Sequence, residues 1–299
     1  MKIPIYFLGT GQAVPTTKRN HTSVLLSYKN ENIMFDCGEG TQRQIRKMKI
    51  NPCSLTRIFI THWHGDHILG IPGLFQTLSL NGYNKTLHIY GPHGTKKYLE
   101  IILNMFIFLG KIKVEIHEVD EGKILETPDF YIEAKRMQHS TYCLAYSFVE
   151  KDKIRIDKGK MRKLKLKQGK ELAKLKQGKD IVIDGKKIKA SYLTYKEKGK
   201  KITFIFDTSI NEGCFKISKD TDLLISEAVY AEKEKQLALE RKHLTASQAA
   251  TIAKKSKVKQ LVLAHLSQRY ENREKIILDE AKKIFKNTKI AEDFMKIEI

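Results

Sequence analysis

Short apolar runs rich in β-branched and aromatic residues alternate with polar turns over residues 1–150, a pattern typical of strands. The runs read PIYFLG, TSVLLSY, NIMFD, RIFIT, LHIYG, KVEIHEV, FYIEAKRM and CLAYSFV. Only a short polar turn separates TSVLLSY from NIMFD, which predicts a hairpin. Apolar residues at helical spacing predict helices over about 70–80 and 95–108. Hairpins and helices together indicate two packed sheets with helices outside.

The same alternation resumes near residue 201 and continues to the end of the sequence. KITFIFDTS, TDLLISEAVY and VKQLVLAHLS predict strands, and each ends in polar residues. Helices are predicted over about 231–242, from Thr245 onward with that residue as the N-cap, and over about 272–285. A histidine or aspartate often follows a strand, so candidate ligands are expected at strand ends.

Composition indicates a soluble chain with a polyanionic partner. Of 299 residues, 41% are hydrophobic, and the longest apolar stretch, at 101–110, is well short of the ~20 residues of a membrane span. No export signal is apparent at the start, so we expect a cytoplasmic protein without membrane association. The formal net charge is +21, which favours nucleic acid as partner, although a lysine-rich solvated surface remains the alternative. Four scattered cysteines predict reduced thiols.

A lysine-rich segment, residues 151–179, interrupts the pattern of strands and helices. It holds 13 basic and 3 acidic side chains, and the hexamer KLKQGK occurs twice in it. Burial of so few apolar residues offsets little of the conformational entropy that is lost on ordering. We therefore predict an inserted arm that projects from the globule. A disordered, solvated loop is the alternative.

Histidine and aspartate crowd the segment THWHGDH, directly after the predicted strand RIFIT. The four side chains are His62, His64, Asp66 and His67. Imidazole and carboxylate together suit zinc or a similar ion, and a tight turn at Gly65 lets all four converge. One loop cannot fill two metal shells. Further candidates at strand ends are His139, Asp207 and His265.

Nine motifs, in order along most of the chain, resemble the metallo-β-lactamase superfamily and, within it, the tRNase Z family of tRNA 3′-processing endonucleases. They are FLGTGQAVPTTKRNHTS, FDCGEGTQRQI, THWHGDHILGIPGL, LHIYGPHG, QHS, FDTS, ISEAVY, KHLTASQAA and LAHLSQRY. The resemblance implies an α/β fold, a four-layer αβ/βα sandwich of two mixed sheets. It also implies a single domain over 1–299, with the 151–179 arm as an inserted exosite.

The resemblance further implies two Zn²⁺ ions per subunit, with Mn²⁺ or Fe²⁺ as alternatives left open. One ion would be held by His62, His64 and His139, the other by Asp66, His67 and His265, with Asp207 bridging both. Asp66 would act as general base, and His243 would protonate the departing ribose 3′-oxygen, unless it is an ordinary surface histidine. Asp36 and Glu227 would be carboxylates outside the ligand set that orient the side chains of the site. For Asp36, helix capping is the alternative. Ser226 stands where the family commonly has a histidine.

The substrate implied by the resemblance is precursor tRNA, cut to leave a 3′-hydroxyl on the tRNA and a 5′-phosphate on the trailer. The resemblance also implies a homodimer. Predicted substrate contacts are Lys18, Arg19 and Asn20 in one loop, Lys163, Lys165, Lys167, Lys174 and Lys176 in the arm, and Ser267 and Arg269 near the end. The alternatives are a small-molecule phosphodiesterase or esterase of the same superfamily, or a non-catalytic RNA-binding member.

Overall fold

The computed structural model describes residues 2–105, 107, 112–164, 170–183 and 186–299. Contacts divide the chain into two compact units. The first comprises residues up to 126, 132–148 and 201–299, and the second comprises 127–131 and 149–200. Within the described ranges, no helix is long and apolar enough to cross a bilayer.

Two seven-stranded sheets form the frame. The first contains β1 (Pro4–Gly9), β2 (Ser23–Tyr28), β3 (Glu31–Phe35), β4 (Arg57–Phe59), β5 (Thr86–Gly91), β6 (Lys113–Glu118) and β18 (Lys296–Glu298), in the order β18-β1-β2-β3-β4-β5-β6. The second contains β7 (Gly122–Glu126), β8 (Phe130–Gln138), β9 (Tyr142–Glu150), β14 (Lys201–Ile205), β15 (Leu223–Glu227), β16 (Gln260–Ala264) and β17 (Thr288–Ile290), in the order β17-β16-β15-β14-β9-β8-β7. The predicted hairpin is β2 and β3, whose Tyr28 pairs with Glu31. Strands β3 to β6 run parallel to one another, as do β14 to β17, so the carboxyl ends within each set meet at one edge of its sheet.

The helices of the described residues are α1 (Thr41–Lys47), α2 (Gly65–Ile68), α3 (Ile71–Leu80), α4 (Thr95–Met105), α5 (Lys158–Lys163), α6 (Lys170–Lys176), α7 (Ala190–Leu193), α8 (Glu212–Ser218), α9 (Lys235–Arg241), α10 (Ala246–Lys255) and α11 (Lys275–Ile284). Among them, α3, α4, α9, α10 and α11 lie where the pattern of the sequence predicts them, and the others were not predicted. Short 3-10 turns occupy Pro52–Ser54, Glu232–Glu234 and Gln268–Tyr270. The helix predicted over 231–242 is a 3-10 turn followed by α9, and α11 begins three residues after its predicted start. The end predicted for α4, Phe108, lies outside the described residues.

The N-cap prediction at Thr245 is confirmed by a capping box. The Thr245 hydroxyl accepts from the backbone N–H of Gln248 at 3.2 Å, and the Gln248 side chain accepts from the backbone N–H of Thr245 at 2.9 Å. Two of the N–H groups at this end of α10 are thereby satisfied. The cap fixes the chain just after His243, where the site needs a defined backbone.

Aromatic side chains pack between the two sheets of the first unit. Phe35 of β3 stacks on Phe204 of β14, and Phe59 of β4 meets Tyr146 of β9 edge-on with centroids 5.3 Å apart. The Tyr146 hydroxyl donates to the carbonyl of Ile60 at 2.8 Å. The outer face of the first sheet packs on α1, α3 and α4, and that of the second packs on α8, α10 and α11. The order helix, sheet, sheet, helix is that of the expected four-layer sandwich.

Close backbone contact at Gly70 places the start of α3 against the loop that follows β3. The Gly70 N–H donates to the carbonyl of Cys37 at 2.9 Å, and a Cβ at Gly70 would lie 2.0 Å from the carbonyl oxygen of Gly38. A side chain at this position would therefore push α3 away from the loop, and with it the adjacent residues Asp66 and His67.

We expect Gly70→Ala to lower the free energy of unfolding by about 1–3 kcal/mol, because backbone atoms cannot yield as side chains can. Urea denaturation measures the loss. Gly73→Ala in the same helix is the matched control, since its Cβ would meet only the end of the Gln42 side chain. Equal stabilities for the two variants would contradict the close-contact argument.

The second unit has its own small set of elements around the predicted arm. Strand β10 (Lys153–Ile156) pairs antiparallel with β13 (Thr194–Glu197), and β11 (Ile181–Ile183) pairs with β12 (Lys186–Ile188). Its buried apolar cluster comprises Leu175, Ile181, Ala190 and Leu193. Most of this cluster follows the predicted end at residue 179, so the segment 151–179 alone offered no core. Lys165 and Lys167 lie outside the described residues; Lys163, Lys174 and Lys176 are exposed.

Candidate metal centre

Three imidazoles meet at the carboxyl ends of the strands in the first unit. His62 and His64 lie between β4 and α2, and His139 follows β8. Nδ1 of His64 is 2.9 Å from Nε2 of His62 and 3.2 Å from Nε2 of His139. Potential ligand atoms of these residues and of Asp207 all lie within 4.8 Å of one another. They form the first ligand group.

A second group gathers beside the first. Potential ligand atoms of Asp66, His67 and His265 also lie within 4.8 Å of one another. Nε2 of His67 is 3.4 Å from Oδ2 of Asp66, and Nε2 of His265 is 3.8 Å from the same oxygen. The structure thus brings together all seven side chains that the sequence singled out, from separated segments of the chain.

Asp207 faces both groups at once. Its Oδ2 is 3.5 Å from Nε2 of His62 and 3.5 Å from Nε2 of His139. Its Oδ1 is 2.8 Å from Nε2 of His265 and 3.4 Å from Nε2 of His67. One carboxylate oxygen therefore belongs to each group, which is the arrangement of a bridging ligand.

Several buried polar atoms in the centre lack a hydrogen-bond partner. Among the described residues, Nε2 of His67, Oδ1 of Asp207 and Nε2 of His265 are fully buried without a hydrogen bond, although the last two atoms lie 2.8 Å apart. Buried polar atoms are almost always satisfied, and these three point at one another instead. Burial opposes charge on His67, yet the carboxylates of Asp207, Asp66 and Asp36 hold the pKa of its imidazole well above the usual value. Nitrogen and oxygen atoms without partners thus surround one point, and this set of imidazole and carboxylate donors fits a divalent transition ion.

Left-handed backbone turns aim three of the site residues. Asp36, Asp207 and His265 have φ of +57°, +42° and +53°, and each stands just after a strand of a sheet. This region is uncommon for residues other than glycine, and such strain concentrates at functional sites. The turn directs each side chain from the end of its strand into the centre.

Hydrogen bonds at the Nδ1 atoms, which face away from the centre, fix the orientation of three of the candidate ligand histidines. Asp36 accepts from Nδ1 of His67 at 2.7 Å and from the backbone N–H and hydroxyl of Thr61 at 2.7 and 2.8 Å. The N-cap of the following helix α1 is Gly40, so Asp36 supports His67 and caps no helix there. A 2.6 Å hydrogen bond joins the Thr22 hydroxyl to Nδ1 of His265, and the Lys242 carbonyl lies 3.1 Å from Nδ1 of His139. Such partners set the ring nitrogen that faces the ion.

His243 forms a buried pair with Glu227. Its Nδ1 is 3.1 Å from Oε2 of Glu227, which is fully buried and also accepts from the backbone N–H groups of Thr208 and Leu244. Burial disfavours a charged imidazole, but the Glu227 carboxylate outweighs it and raises the pKa of His243 to about 9. Its side chain is only 7% exposed, which excludes the alternative of an ordinary surface histidine. Ser226 donates to the Glu227 carbonyl at 3.0 Å and points away from this pair.

An open cleft of about 550 Å³ lies over the centre. Its lining includes His64, Asp66, His139, Asp207, Tyr230, Arg241, Lys242, His243 and Arg269. The Arg269 guanidinium lies over the ring of Tyr230, 5.4 Å from its centroid. Cationic side chains beside the ligand groups suit a phosphate.

The predicted substrate loop is used largely for internal contacts. The Arg19 guanidinium is buried and donates to the Thr10 hydroxyl at 2.8 Å and to the Ala291 carbonyl at 2.7 Å. Asn20 donates to the Glu39 carbonyl, and Lys18 donates to Asn272. Ser267 is buried at the start of a 3-10 turn. Substrate contacts by these residues stay predictions, whereas Arg269 does line the cleft.

Four residues that support or line the site through backbone groups or uncharged side chains were not predicted from the sequence. Thr22 and Thr61 support the histidines, the Ala13 N–H donates to Oδ2 of Asp66 at 2.9 Å, and Tyr230 lines the cleft. Thr22 and Ala13 lie in the TKRNHTS and GQAVP segments, but nothing in those letters indicates the distant partner. Only the fold provides that signal.

Comparisons with known proteins match the chain over nearly its whole length. It is 40% identical to the ribonuclease Z of Methanothermobacter thermautotrophicus, over 99% of this chain and 96% of the relative. It is 42% identical to the ribonuclease Z of Nanoarchaeum equitans, over 89% of this chain and 84% of the relative. Residues 3–158 match a family model described as the Anti-Pycsar protein Apyc1.

Solved structures give the same result. The short form of human tRNase Z superposes with a TM-score of 0.70 at 29% identity, covering 98% of each chain. The Bacillus subtilis metallo-β-lactamase fold protein YhfI superposes with a TM-score of 0.73 at 18% identity, over 100% of this chain and 99% of that one. The predicted α/β sandwich is therefore confirmed as the metallo-β-lactamase fold.

Proposed function

Because the chain belongs to the ribonuclease Z family, we propose that it is a metal-dependent endoribonuclease that removes 3′ trailers from precursor tRNA. Cleavage leaves a 3′-hydroxyl on the tRNA and a 5′-phosphate on the trailer. The proposal rests on one observation, the position of Asp207. Its two carboxylate oxygens face two complete groups of ligand atoms at the floor of a basic cleft. Degenerate members of such a fold would lack some of these side chains.

The donor set suits two zinc ions, with manganese or iron as ions that the same nitrogen and oxygen atoms accept. His62, His64 and His139 would hold one ion and Asp66, His67 and His265 the other, with Asp207 shared. When bound, the ions stabilise charge on the phosphoryl oxygens and make a water molecule acidic enough to attack at neutral pH.

Two side chains, Asp66 and His243, accept and donate the protons of the reaction. Asp66 borders the cleft, and its Oδ2 is oriented by the Ala13 N–H, so it accepts the proton of the attacking water. His243, held protonated by Glu227, donates a proton to the departing ribose 3′-oxygen. Arg241, Lys242 and Arg269 line the cleft where the flanking phosphates pass.

Purified protein loaded with zinc should shorten a tRNA transcript that carries a 3′ trailer, and gel analysis with end labels measures the position of the cut. A transcript ending in an encoded CCA, assayed beside it, tests how the end is tolerated. A protein that hydrolysed small diesters well and trailer-bearing tRNA not at all would instead be a small-molecule phosphodiesterase or esterase. A protein that bound tRNA but retained no metal would be a non-catalytic member.

The lysines of the predicted arm, residues 151–179, are proposed to contact folded tRNA through its phosphates. Neutralising exposed Lys163, Lys174 and Lys176 to glutamine should raise KM and leave kcat unchanged. It should also flatten the salt dependence, because each phosphate contact contributes a slope of about 0.7–0.9 in log K against log salt. Kinetics at several salt concentrations measure both.

Three exposed lysines of the first unit, Lys254, Lys257 and Lys282, provide the matched control. Their replacement by glutamine removes the same charge and should change KM much less. If both triple variants raised KM equally, the arm would act only through the net charge of the protein and not through contacts of its own with tRNA.

We further propose a homodimer that acts in the cytoplasm. The homodimer is what the resemblance to the tRNA-processing family implies, and light scattering on the purified protein tests it. A monomer at all accessible concentrations would reject this part of the proposal and leave the reaction chemistry unaffected.

A further inference from the structure

A second cluster of metal-binding side chains lies on the last two strands of the first sheet. His88 stands on β5, and Glu115 and His117 stand on β6. In the parallel register His88 pairs with Glu115 and Tyr90 pairs with His117, so alternation places all of these side chains on one face. Potential ligand atoms of the three lie within 4.8 Å of one another. The cluster shares no residue with the centre in the cleft.

Distances within the cluster match those of a tetrahedral site. Nδ1 of His88 is 3.3 Å from Nε2 of His117 and 3.3 Å from Oε2 of Glu115. Ligand atoms placed about 2.0–2.1 Å from a tetrahedral zinc ion are separated by about 3.3–3.4 Å. A hydrogen bond between the same atoms would usually be shorter, at about 2.9–3.0 Å.

Neighbouring side chains hold the cluster in this form. Tyr90 stacks on the His117 ring with centroids 4.4 Å apart and planes 13° apart, which fixes the direction of its nitrogens. Lys113 lies 3.6 Å from Oε1 of Glu115, which leaves Oε2 facing His88.

Access and local charge also allow an ion to enter. The side chains of His88 and Glu115 are 28% and 45% exposed. Arg57, next to His88 in the register, is 2.9 Å from the carboxylate of Glu31, which offsets its positive charge.

We propose that His88, Glu115 and His117 form a separate binding site for a divalent transition ion of the zinc class, with a fourth position open to solvent. The ion joins the edge strand β6 to β5 and stabilises the folded state, because it binds that state and not the unfolded chain. The site does not depend on the reaction in the cleft.

Metal content of the full-length protein after loading and dialysis tests the site. The native chain should retain one metal equivalent more than His88→Ala, Glu115→Gln or His117→Ala, and each variant should cleave RNA at the native rate. His93→Ala is the matched control, since His93 also faces a carboxylate, Glu118 at 3.8 Å, but belongs to no group of three potential ligands among the described residues. This control should retain the native metal content.

Cobalt substitution gives a second readout that misfolding cannot imitate. The absorption of tetrahedral cobalt in the native protein should exceed that of the folded Glu115→Gln variant by the contribution of one site. Added zinc should also raise Tm of the native chain more than that of His88→Ala. Equal metal content and equal cobalt spectra in native protein and variants would overturn the proposal, whether or not the protein cleaves tRNA.

Discussion

Replacing His64 by alanine is expected to reduce trailer cleavage by roughly 10³-fold or more, since the metal centre accounts for several kcal/mol of transition-state stabilisation. Nδ1 of His64 lies between Nε2 of His62 and Nε2 of His139, within 3.2 Å of each, so its loss opens the first ligand group at its middle. Binding of tRNA should persist, because the cationic side chains that contact phosphates are untouched. Cleavage kinetics, gel-shift affinity and metal content of the same preparation measure the three quantities.

Alanine at His93, an exposed histidine outside the candidate metal centre and the cluster at His88, controls for the loss of an imidazole as such. That variant should cleave at the native rate. If His64→Ala lost metal and kept its rate, the centre would not be the site of cleavage. If it lost tRNA binding together with metal, the cleft would serve mainly to hold RNA.

Replacing His243 by alanine is expected to lower kcat by about 10²–10⁴-fold, the usual contribution of a positioned proton donor. The imidazole is fixed by Glu227 at 3.1 Å, borders the cleft, and has a pKa raised to about 9. Most molecules therefore carry the proton at neutral pH. Single-turnover cleavage of a trailer-bearing transcript measures the loss, and metal content should stay at the native level.

A diester with a nitrophenol leaving group distinguishes proton donation from a structural effect. Nitrophenolate departs without protonation, so His243→Ala should cleave this substrate nearly as fast as the native protein does. His64→Ala should fail on both substrates. A His243→Ala variant impaired equally on RNA and on the nitrophenyl diester would show that the residue positions the centre and donates no proton.

Local patterns in the sequence were enough to predict many of the structural elements and several of the site residues of this protein. Periodicity predicted most strands and the helices α3, α4, α9, α10 and α11, because burial of one face imposes its spacing on neighbouring residues. The segment THWHGDH predicted ligands from its residue types and spacing, although helix α2, which begins at Gly65, takes the place of the tight turn expected there. Thr245 marked the start of α10 for a local reason, a side chain that caps its own helix. The charge of residues 151–179 was equally visible, although their elements continue to about residue 200 and bury a cluster that begins with Leu175.

Long-range contacts could be decided only by the tertiary structure. Whether Asp207 faces both ligand groups depends on the ends of β4, β8, β14 and β16 meeting at one place, which no local pattern encodes. Arg19, read as a substrate contact, is buried against Ala291, and the cluster at His88 and His117 forms only because β5 and β6 lie in parallel register. A residue's type fixes which bonds it is able to make, whereas its partners are set by chain segments hundreds of residues apart that pack side by side.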